Sequence, residues 1–458
     1  ESNMKSFVLI LSVLCLLVFS VSEPSHSATV SQLQPSLTVS QEYTDNLFQT
    51  DEDKESELIT VVSPRLDWTT TGRSFQVSLG YGPGFSFYDD RSDFDSVRHS
   101  GNLALRKDLS EHLLLRVSDV LTRSEEPYSR GELTIGEGET IEERIDFTVR
   151  QSREPRLTNS ARARLEYEFG PKDLVYVGYE HGLVEDDNPS ESDSTRHVPQ
   201  AGITYWFAEH YGLDLSGSYT KADFSLDDDE ETFLETTDPD EDPEEDFQRW
   251  SGRLRLTRNF TPFLDGYAQY RHSAINYEGE EEDYMVYEPS LGITYRFAKS
   301  GSVSLGGAFN YQDFDDDELS EDEGRFLVNA DVNLSWERPR WTLSVTGSSG
   351  YDESYFGAEN LGYTIFYGAG SEYRYFITRR VAAQLDLVYR YNEYTDEDPD
   401  REDHLISVRS GINWQVLQWL NLNLSHTFRM VESNIDREEY EENSVVLSLS
   451  IRPRPFKF

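Results

Sequence analysis

Cysteine is almost absent from this chain. Cys15 is the one cysteine among 458 residues, and it lies in an apolar run near the start of the sequence. Without further cysteine the chain can form neither an internal disulfide nor a thiolate metal site. It also has no Cys-x-x-Cys-His sequence, so any haem would have to belong to a partner protein.

Long apolar runs are equally scarce. The run Phe7–Phe19 is shorter than the ~20 residues that a transmembrane helix needs. A lysine precedes it and small residues follow it, which is the arrangement of a secretory signal peptide. We therefore predict a signal peptide over residues 1–27, with 1–3 as leader residues, and a mature domain over residues 28–458. If that domain lies in a membrane, it must cross as β-structure.

Positive charge is in short supply as well. The chain has 41 Lys+Arg against 86 Asp+Glu, a formal net charge of -45. Because nucleic-acid binding requires a basic surface, we exclude nucleic acid as a partner. The chain is not simply a disordered acidic polymer either, because such polymers are poor in aromatic residues and this one has 27 Tyr and 25 Phe.

The acidic residues are concentrated between the apolar-patterned runs, and they are the candidates for cation binding. Carboxylate oxygens suit Ca²⁺ and Mg²⁺, but neither 313–323 nor 396–403 has the glycine that an EF-hand-type loop needs at its sixth position. We therefore expect a solvated surface with loosely bound Ca²⁺ or Mg²⁺, and no specific metal site or cofactor. The weak candidate ligands are Asp227, Asp228, Asp229, Asp240, Asp242, Asp315 and Asp317.

No catalytic motif is recognisable. The nine histidines show no His-x-x-x-His or similar ligand spacing. No serine, cysteine or threonine lies in a motif that pairs a nucleophile with a base. The sequence nominates no catalytic residue, so we predict that the protein is not an enzyme.

What the chain does have is a repeated pattern of alternation. From Leu33 onward, runs of about a dozen residues alternate apolar and polar positions, as β-strands with one apolar face do. In Arg380–Asn392, for example, Gln384, Asp386 and Arg390 share the polar face. Short turns alternate strictly with long acidic connections. Counting them predicts about 20 strands, with roughly 18–22 as the range because 124–155 has room for another hairpin.

This alternation of connections predicts an all-β fold, a single antiparallel transmembrane β-barrel. Outer-membrane barrels have short periplasmic turns, long extracellular loops and an even number of strands, whereas a soluble sandwich has no reason to gather its long loops at one end. Aromatic residues near both sets of connections are typical of two interfacial belts. We expect a Gram-negative outer-membrane location, with membrane lipid and the barrel-assembly machinery as partners; the oligomeric state stays open.

The polar strand faces are predicted to line the lumen. Such a wall suits a hydrated pore for sugars or ions; alternatively, opposite charges pair across neighbouring strands and stabilise the wall. At about 20 strands we expect a water-filled lumen, narrowed by loop 124–155 or filled by a partner. The predicted lumen-lining residues are Arg162, Arg164, Glu166, Asp214, Arg253, Arg255, Gln384, Asp386, Arg390, Arg409 and Arg429.

The C-terminus carries its own signal. Residues 443–451 alternate as a closing strand, and the chain then ends on an aromatic residue. Outer-membrane barrels commonly end in this way, so we predict Phe456 and Phe458 to be an assembly signal. Pro453 and Pro455 cannot donate to a β-ladder, which predicts that the strand ends near Arg452 and that a short tail follows.

Two segments resemble the putative β-barrel porin 2 family. Pro35–Phe48 resembles its opening strand, and Leu165–Tyr179 resembles its hairpin around a Phe-Gly-Pro-x-Asp turn. The family includes outer-membrane barrels associated with the PEP-CTERM/exosortase system. The resemblance implies an outer-membrane porin and, through that association, a role in exopolysaccharide export. It implies no particular catalytic or binding residues.

Three functions follow as hypotheses. The first is a water-filled outer-membrane channel, with an exported polysaccharide as a candidate cargo and export proteins as candidate partners. The second is a structural or adhesive surface barrel whose acidic loops bind cations or a partner. The third is a sheath around a partner protein such as a cytochrome.

Overall fold

The computed structural model of the chain describes residues 29–125, 153–188, 192–225, 246–279, 282–298, 301–314, 323–354, 362–394, 401–435 and 439–458. Within these ranges it is an all-β structure of twenty long antiparallel strands, which confirms the predicted fold class and strand number. The strands are β1 (Val30–Thr44), β2 (Glu57–Thr71), β3 (Phe75–Tyr88), β4 (Ser96–Asp108), β5 (Leu113–Ser124), β6 (Arg156–Glu168), β7 (Leu174–Asp186), β8 (Asp193–Ala208), β9 (Tyr211–Ser225), β10 (Phe247–Thr261), β11 (Leu264–Tyr277), β12 (Tyr284–Ala298), β13 (Gly301–Phe314), β14 (Glu323–Arg338), β15 (Trp341–Ser354), β16 (Gly362–Phe376), β17 (Val381–Tyr394), β18 (Arg401–Leu417), β19 (Leu420–Ser433) and β20 (Tyr440–Ile451).

The sheet closes on itself. Each strand pairs with its neighbours in sequence, and β1 also pairs with β20, with Thr44 opposite Ser444 and Leu37 opposite Ile451. Closure leaves no free sheet edge, so the backbone N–H and C=O groups of the strands find partners without water. Within the described ranges, no helix has both the length and the apolar character needed to cross a membrane.

The connections alternate between two lengths, as predicted. At one end of the barrel the turns are short: β8 and β9 are separated only by Glu209 and His210, and β10 and β11 only by Pro262 and Phe263. The long connections all lie at the other end. The extra hairpin considered for 124–155 falls mostly on residues 126–152, outside the described residues, and the predicted signal peptide over residues 1–27 lies outside them as well.

The two faces of each strand differ as the alternation requires. In β17, Leu385, Leu387 and Tyr389 point outward and are exposed, whereas Asp386 and Arg390 point inward and are half-buried. The same division recurs around the barrel. An exposed apolar surface that recurs around the whole barrel would promote aggregation in water, but it is the expected surface of a barrel surrounded by lipid.

Aromatic residues mark the two ends of the apolar surface. Near the short turns, Phe169 stacks on Tyr205, with the ring centroids 6.2 Å apart. Near the long loops the outward face carries tyrosine–histidine pairs, which sequence reasoning did not anticipate. The pairs with hydroxyl-to-Nδ1 distances of 2.8, 2.6 and 3.0 Å are Tyr81–His99, Tyr179–His197 and Tyr389–His404. Rings with one apolar and one polar part are typical of a membrane–water interface.

The C-terminal end differs from the prediction in one respect. β20 ends at Ile451, as the two prolines led us to expect, but the residues beyond them do not form an unpaired tail. A short strand β21 (Phe456–Lys457) pairs with β1, and the Phe458 backbone exchanges two hydrogen bonds with Ser31, at 3.0 and 3.1 Å. The prolines interrupt the ladder because they lack an N–H group, and the ladder resumes once ordinary residues return.

We expect deletion of Phe458 to lower the amount of assembled barrel, because the deletion removes both the hydrogen bonds to Ser31 and an exposed terminal ring. Assembly is measured by the heat-dependent migration of the protein from outer-membrane fractions on SDS gels. Phe458→Ala is the matched control, since it keeps the backbone hydrogen bonds and removes only the ring. A deletion variant that assembles as well as the parent would show that Phe458 is not an assembly signal.

Candidate functional site: the lumen of the barrel

The inward strand faces bring the predicted lumen residues together on one wall. In the strand register Arg162 lies opposite Glu180, and Asp386 lies opposite Arg409. Counting by twos from such pairs places the remaining predicted residues on the inward face. These residues are Arg162, Arg164, Glu166, Asp214, Arg253, Arg255, Gln384, Asp386, Arg390, Arg409 and Arg429. Their part in conduction remains a prediction.

The basic residues that the twenty long strands turn inward are all of one kind. Among the described side chains that the register of β1 to β20 places inward, every basic residue is an arginine; the short strand β21 adds one lysine, Lys457, opposite Gln32. Arginine stays charged at any physiological pH and presents its N–H groups in a planar fork that matches carboxylate and phosphate groups. The inward arginines are Arg65, Arg98, Arg106, Arg116, Arg156, Arg162, Arg164, Arg196, Arg249, Arg253, Arg255, Arg271, Arg296, Arg374, Arg390, Arg401, Arg409 and Arg429.

Part of the wall is held together by ion pairs. Glu180 accepts from both Arg162 and Arg196, at 2.9 and 2.6 Å. Arg429 and Glu442 lie 2.9 Å apart across β19 and β20. For these residues the charges stabilise the wall, because opposite charges on neighbouring strands attract each other.

Elsewhere arginines lie directly opposite one another. Arg106, Arg116 and Arg164 form one row across β4, β5 and β6 near the short turns. Two acids lie beside this row: Glu166, 3.4 Å from Arg116 Nε and 2.9 Å from Arg164 Nε, and Asp108, 3.8 Å from Arg106 Nε. The Arg164 guanidinium also lies 3.8 Å from the centroid of the Tyr176 ring. Like charges in directly opposite positions destabilise a sheet, so this row concentrates positive charge at a cost in stability.

Loop 45–56 joins β1 and β2 at the long-loop end, here called the mouth, and Leu47 in this loop packs against Ile59, Val61 and Tyr88. Asn46, Leu47 and Gln49 have no exposed area. The Leu47 carbonyl accepts a hydrogen bond from Arg153 Nε at 2.7 Å. We predicted that loop 124–155 narrows the pore. Its residues 126–152 lie outside the described residues, so that prediction remains open.

Apolar side chains face inward at the same end, which sequence reasoning missed. Ala222, Phe247, Ile275, Tyr284 and Val286, on β9 to β12, form one buried cluster with Leu327 on β14 and Ile365 on β16. Their positions follow the inward register of these strands. The sequence does contain a sign of this cluster. Next to the long connections the inward positions of β10 and β12 change from polar to apolar residues, with Phe247 and Tyr284. The wall is therefore charged over its middle and short-turn parts and partly apolar at the mouth.

Glu125 is a buried carboxylate near the mouth that contacts inward-facing residues of β3 and β4. Glu125 follows β5 and has no exposed area; it accepts hydrogen bonds from Arg98 Nε at 2.8 Å and from the Tyr88 hydroxyl at 3.2 Å. Burial alone would raise the pKa of Glu125, but the Arg98 charge and the hydrogen bonds hold that pKa below its ordinary value. Glu125 is therefore charged at neutral pH, and its stabilising contribution is lost as the pH falls through its folded-state pKa.

The predicted cation ligands cannot be placed. Asp227, Asp228, Asp229, Asp240, Asp242, Asp315 and Asp317 all lie outside the described residues. Over the residues that are described, no three His, Cys, Asp or Glu side chains are grouped so as to hold a metal ion. Loose binding of Ca²⁺ or Mg²⁺ remains a prediction.

A closed antiparallel barrel with an apolar outer face and a charged inner face defines a porin-like outer-membrane β-barrel. The sequence profile of the family described as Putative beta-barrel porin 2 matches residues 32–149 and 240–453, and the chain belongs to this family. The predicted membership of this family is thereby confirmed, whereas the association with the PEP-CTERM/exosortase system stays a prediction.

Comparison with solved structures finds outer-membrane proteins that are similar to this chain at low sequence identity. The ferric enterobactin receptor PfeA from Pseudomonas aeruginosa aligns with a TM-score of 0.50 and 9% identity, over 94% of this chain and 82% of the receptor. OccK3 (OpdO) from Pseudomonas aeruginosa aligns with a TM-score of 0.40 and 13% identity, over 92% of this chain and 96% of its own. None of the curated proteins compared with the chain matches it.

Proposed function

We propose that the protein is a water-filled outer-membrane channel rather than an enzyme, with its short turns in the periplasm and its long acidic loops outside the cell. The observation that carries this proposal is the inward wall, where charged side chains continue from Arg401 near the long loops to Arg106 near the short turns. Charges facing an enclosed space need water or a polar solute around them. Membership of a porin family supports the same conclusion.

A candidate cargo is an exported polysaccharide. A polymer of sugars can pass through a charged, hydrated lumen by exchanging hydrogen bonds with the wall and with water. We expect cells that lack the protein to retain polysaccharide in the periplasm and to release less into the medium. Unchanged release from such cells would rule out the export role and leave the channel itself in place.

We expect the purified barrel to give a steady conductance in a planar lipid bilayer. Arg153→Ala should give a larger conductance, because the variant removes the hydrogen bond that fixes the inward loop at Leu47. Arg123→Ala is the control, since Arg123 lies on the outward face and pairs with Asp187. If neither the parent protein nor Arg153→Ala gives a conductance, the channel proposal is contradicted and the adhesive or sheath hypothesis is favoured.

A further inference from the structure

The charge of the lumen does not follow the charge of the chain. The chain as a whole carries a formal charge of -45, yet the inward wall brings arginines into directly opposite positions. Arg106, Arg116 and Arg164 form the row near the short turns. Arg253 and Arg271 form a second opposed pair halfway along β10 and β11. Carboxylates offset part of this charge, because Asp108 and Glu166 lie beside the first row and Glu288 lies 3.8 Å from Arg271. Among the described residues, the uncompensated positive charge is therefore carried by the arginines that have no such partner.

Three arginines of the wall make no ion pair with a described carboxylate. They are Arg253, Arg255 and Arg409, on β10 and β18. The acids that face two of them in the register keep their negative charge, but they accept hydrogen bonds from neutral donors and form no ion pair with these arginines. Asp214, opposite Arg255, accepts a hydrogen bond from Thr204 Oγ1 at 2.8 Å. Asp386, opposite Arg409, accepts from Gln384 Nε2 at 3.0 and 3.1 Å.

The stacking of Arg255 leaves its donors available. Its guanidinium carbon lies 3.9 Å from the centroid of the Tyr267 ring. A ring under the guanidinium face holds the plane in place and lowers the cost of ordering the side chain, while the N–H groups at the edge can still donate. This arrangement suits bidentate recognition of a carboxylate, phosphate or sulfate group.

The net negative charge of the chain has little effect at Arg253, Arg255 and Arg409. Charges exposed to solvent are screened over about 8 Å at physiological ionic strength. Charges that line a cleft with low-dielectric walls are screened less, and they raise the local concentration of counter-ions. The selectivity of the pore is therefore set by the wall and not by the net charge of the chain.

We propose that the lumen is anion-selective and that its substrate carries carboxylate, phosphate or sulfate groups, so that an exported polysaccharide would be an acidic one. This inference rests on the proposed function, since selectivity requires a conducting lumen. The inward arginines supply the attraction, and the spacing of two arginine levels along the barrel axis lets an anionic group pass from one level to the next. Binding at each level must be weak enough to release the group again.

The experiment is a reversal-potential measurement on the full barrel under a KCl gradient across a planar bilayer. We expect the reversal potential to have the sign that a membrane more permeable to Cl⁻ than to K⁺ gives. The triple variant Arg253→Gln, Arg255→Gln, Arg409→Gln should shift the reversal potential toward zero, and Arg409→Gln alone should shift it part of the way if the triple variant fails to fold. Arg123→Gln, on the outward face, should leave it unchanged. Tri-galacturonate added to the parent should reduce the current, and a neutral trisaccharide should reduce it less.

The outcomes separate the two proposals. A barrel that gives no current refutes the channel itself. A barrel that conducts but prefers cations, or whose selectivity is unaffected by the arginine substitutions, refutes the anion-selective lumen and leaves the channel in place.

Discussion

Replacing Leu387 by arginine is expected to destabilise the membrane-inserted barrel by about 2–4 kcal/mol, the cost of an arginine on the lipid face near the middle of a membrane. Leu387 lies midway along β17 with its side chain outward and 41% exposed. The tyrosine–histidine pairs lie closer to the long loops, so Leu387 is within the apolar zone. Equilibrium urea unfolding in lipid vesicles, followed by tryptophan fluorescence, measures the change in the free energy of unfolding.

The neighbouring residue provides a matched control. Val388 is also apolar, but its side chain points inward, and its partners in the register are Gly370 and Ser407. Val388→Arg should cost less than about 1 kcal/mol, because the arginine enters a wall that already holds charges and has space beside the glycine. Equal costs at the two positions would contradict the assignment of the faces.

Replacing Asp403 by alanine is expected to cost about 3–5 kcal/mol, because removal of one partner of a buried ion pair leaves the other charge buried. Arg401 and Asp403 lie 3.0 Å apart on β18, and each side chain is 3% exposed. The Arg401 guanidinium also lies 5.1 Å from the centroid of the Tyr394 ring, so it cannot move into solvent without losing this contact. The same urea titration measures the effect.

An exposed pair on a nearby strand is the control. Glu372 and Arg374 lie 3.6 Å apart on β16, with side chains 51% and 45% exposed. Glu372→Ala should change the free energy of unfolding by about 0–1 kcal/mol, because exposed ion pairs are screened by water and salt. If Asp403→Ala is as mild as Glu372→Ala, the Arg401–Asp403 pair does not contribute to holding the mouth together.

The strand number and the inward position of residues such as Arg162 and Asp386 were predictable because the side chains of a strand alternate with a period of two residues. Both predictions need only the residues of one strand and its flanking turns. A turn such as Gly170-Pro171-Lys172 shows where a strand ends, and counting by twos from it identifies the face of each residue. The alternation of short and long connections then predicted closure into a barrel.

The mouth could not be predicted in the same way, because its contacts join residues that are far apart in sequence. Loop 45–56 is held by Asn46, whose side-chain nitrogen donates to the Glu441 carbonyl at 2.9 Å, and by Arg153 from the other side. The tyrosine–histidine pairs depend on the register between strands, which the whole sheet sets. The pairing of Phe458 with Ser31 likewise joins residues that are far apart in sequence.

A cysteine scan of β17 with a membrane-impermeant thiol reagent tests the central claim, a water-filled lumen lined by alternate strand residues, most directly. Cys15 is the one native cysteine and is replaced, so each variant carries a single thiol. In lipid vesicles we expect rapid labelling at the inward positions 384, 386, 388 and 390, and little at the outward positions 385, 387 and 389. If neither set is labelled, or if the outward set is labelled, the claim of a water-filled lumen lined by alternate strand residues is contradicted.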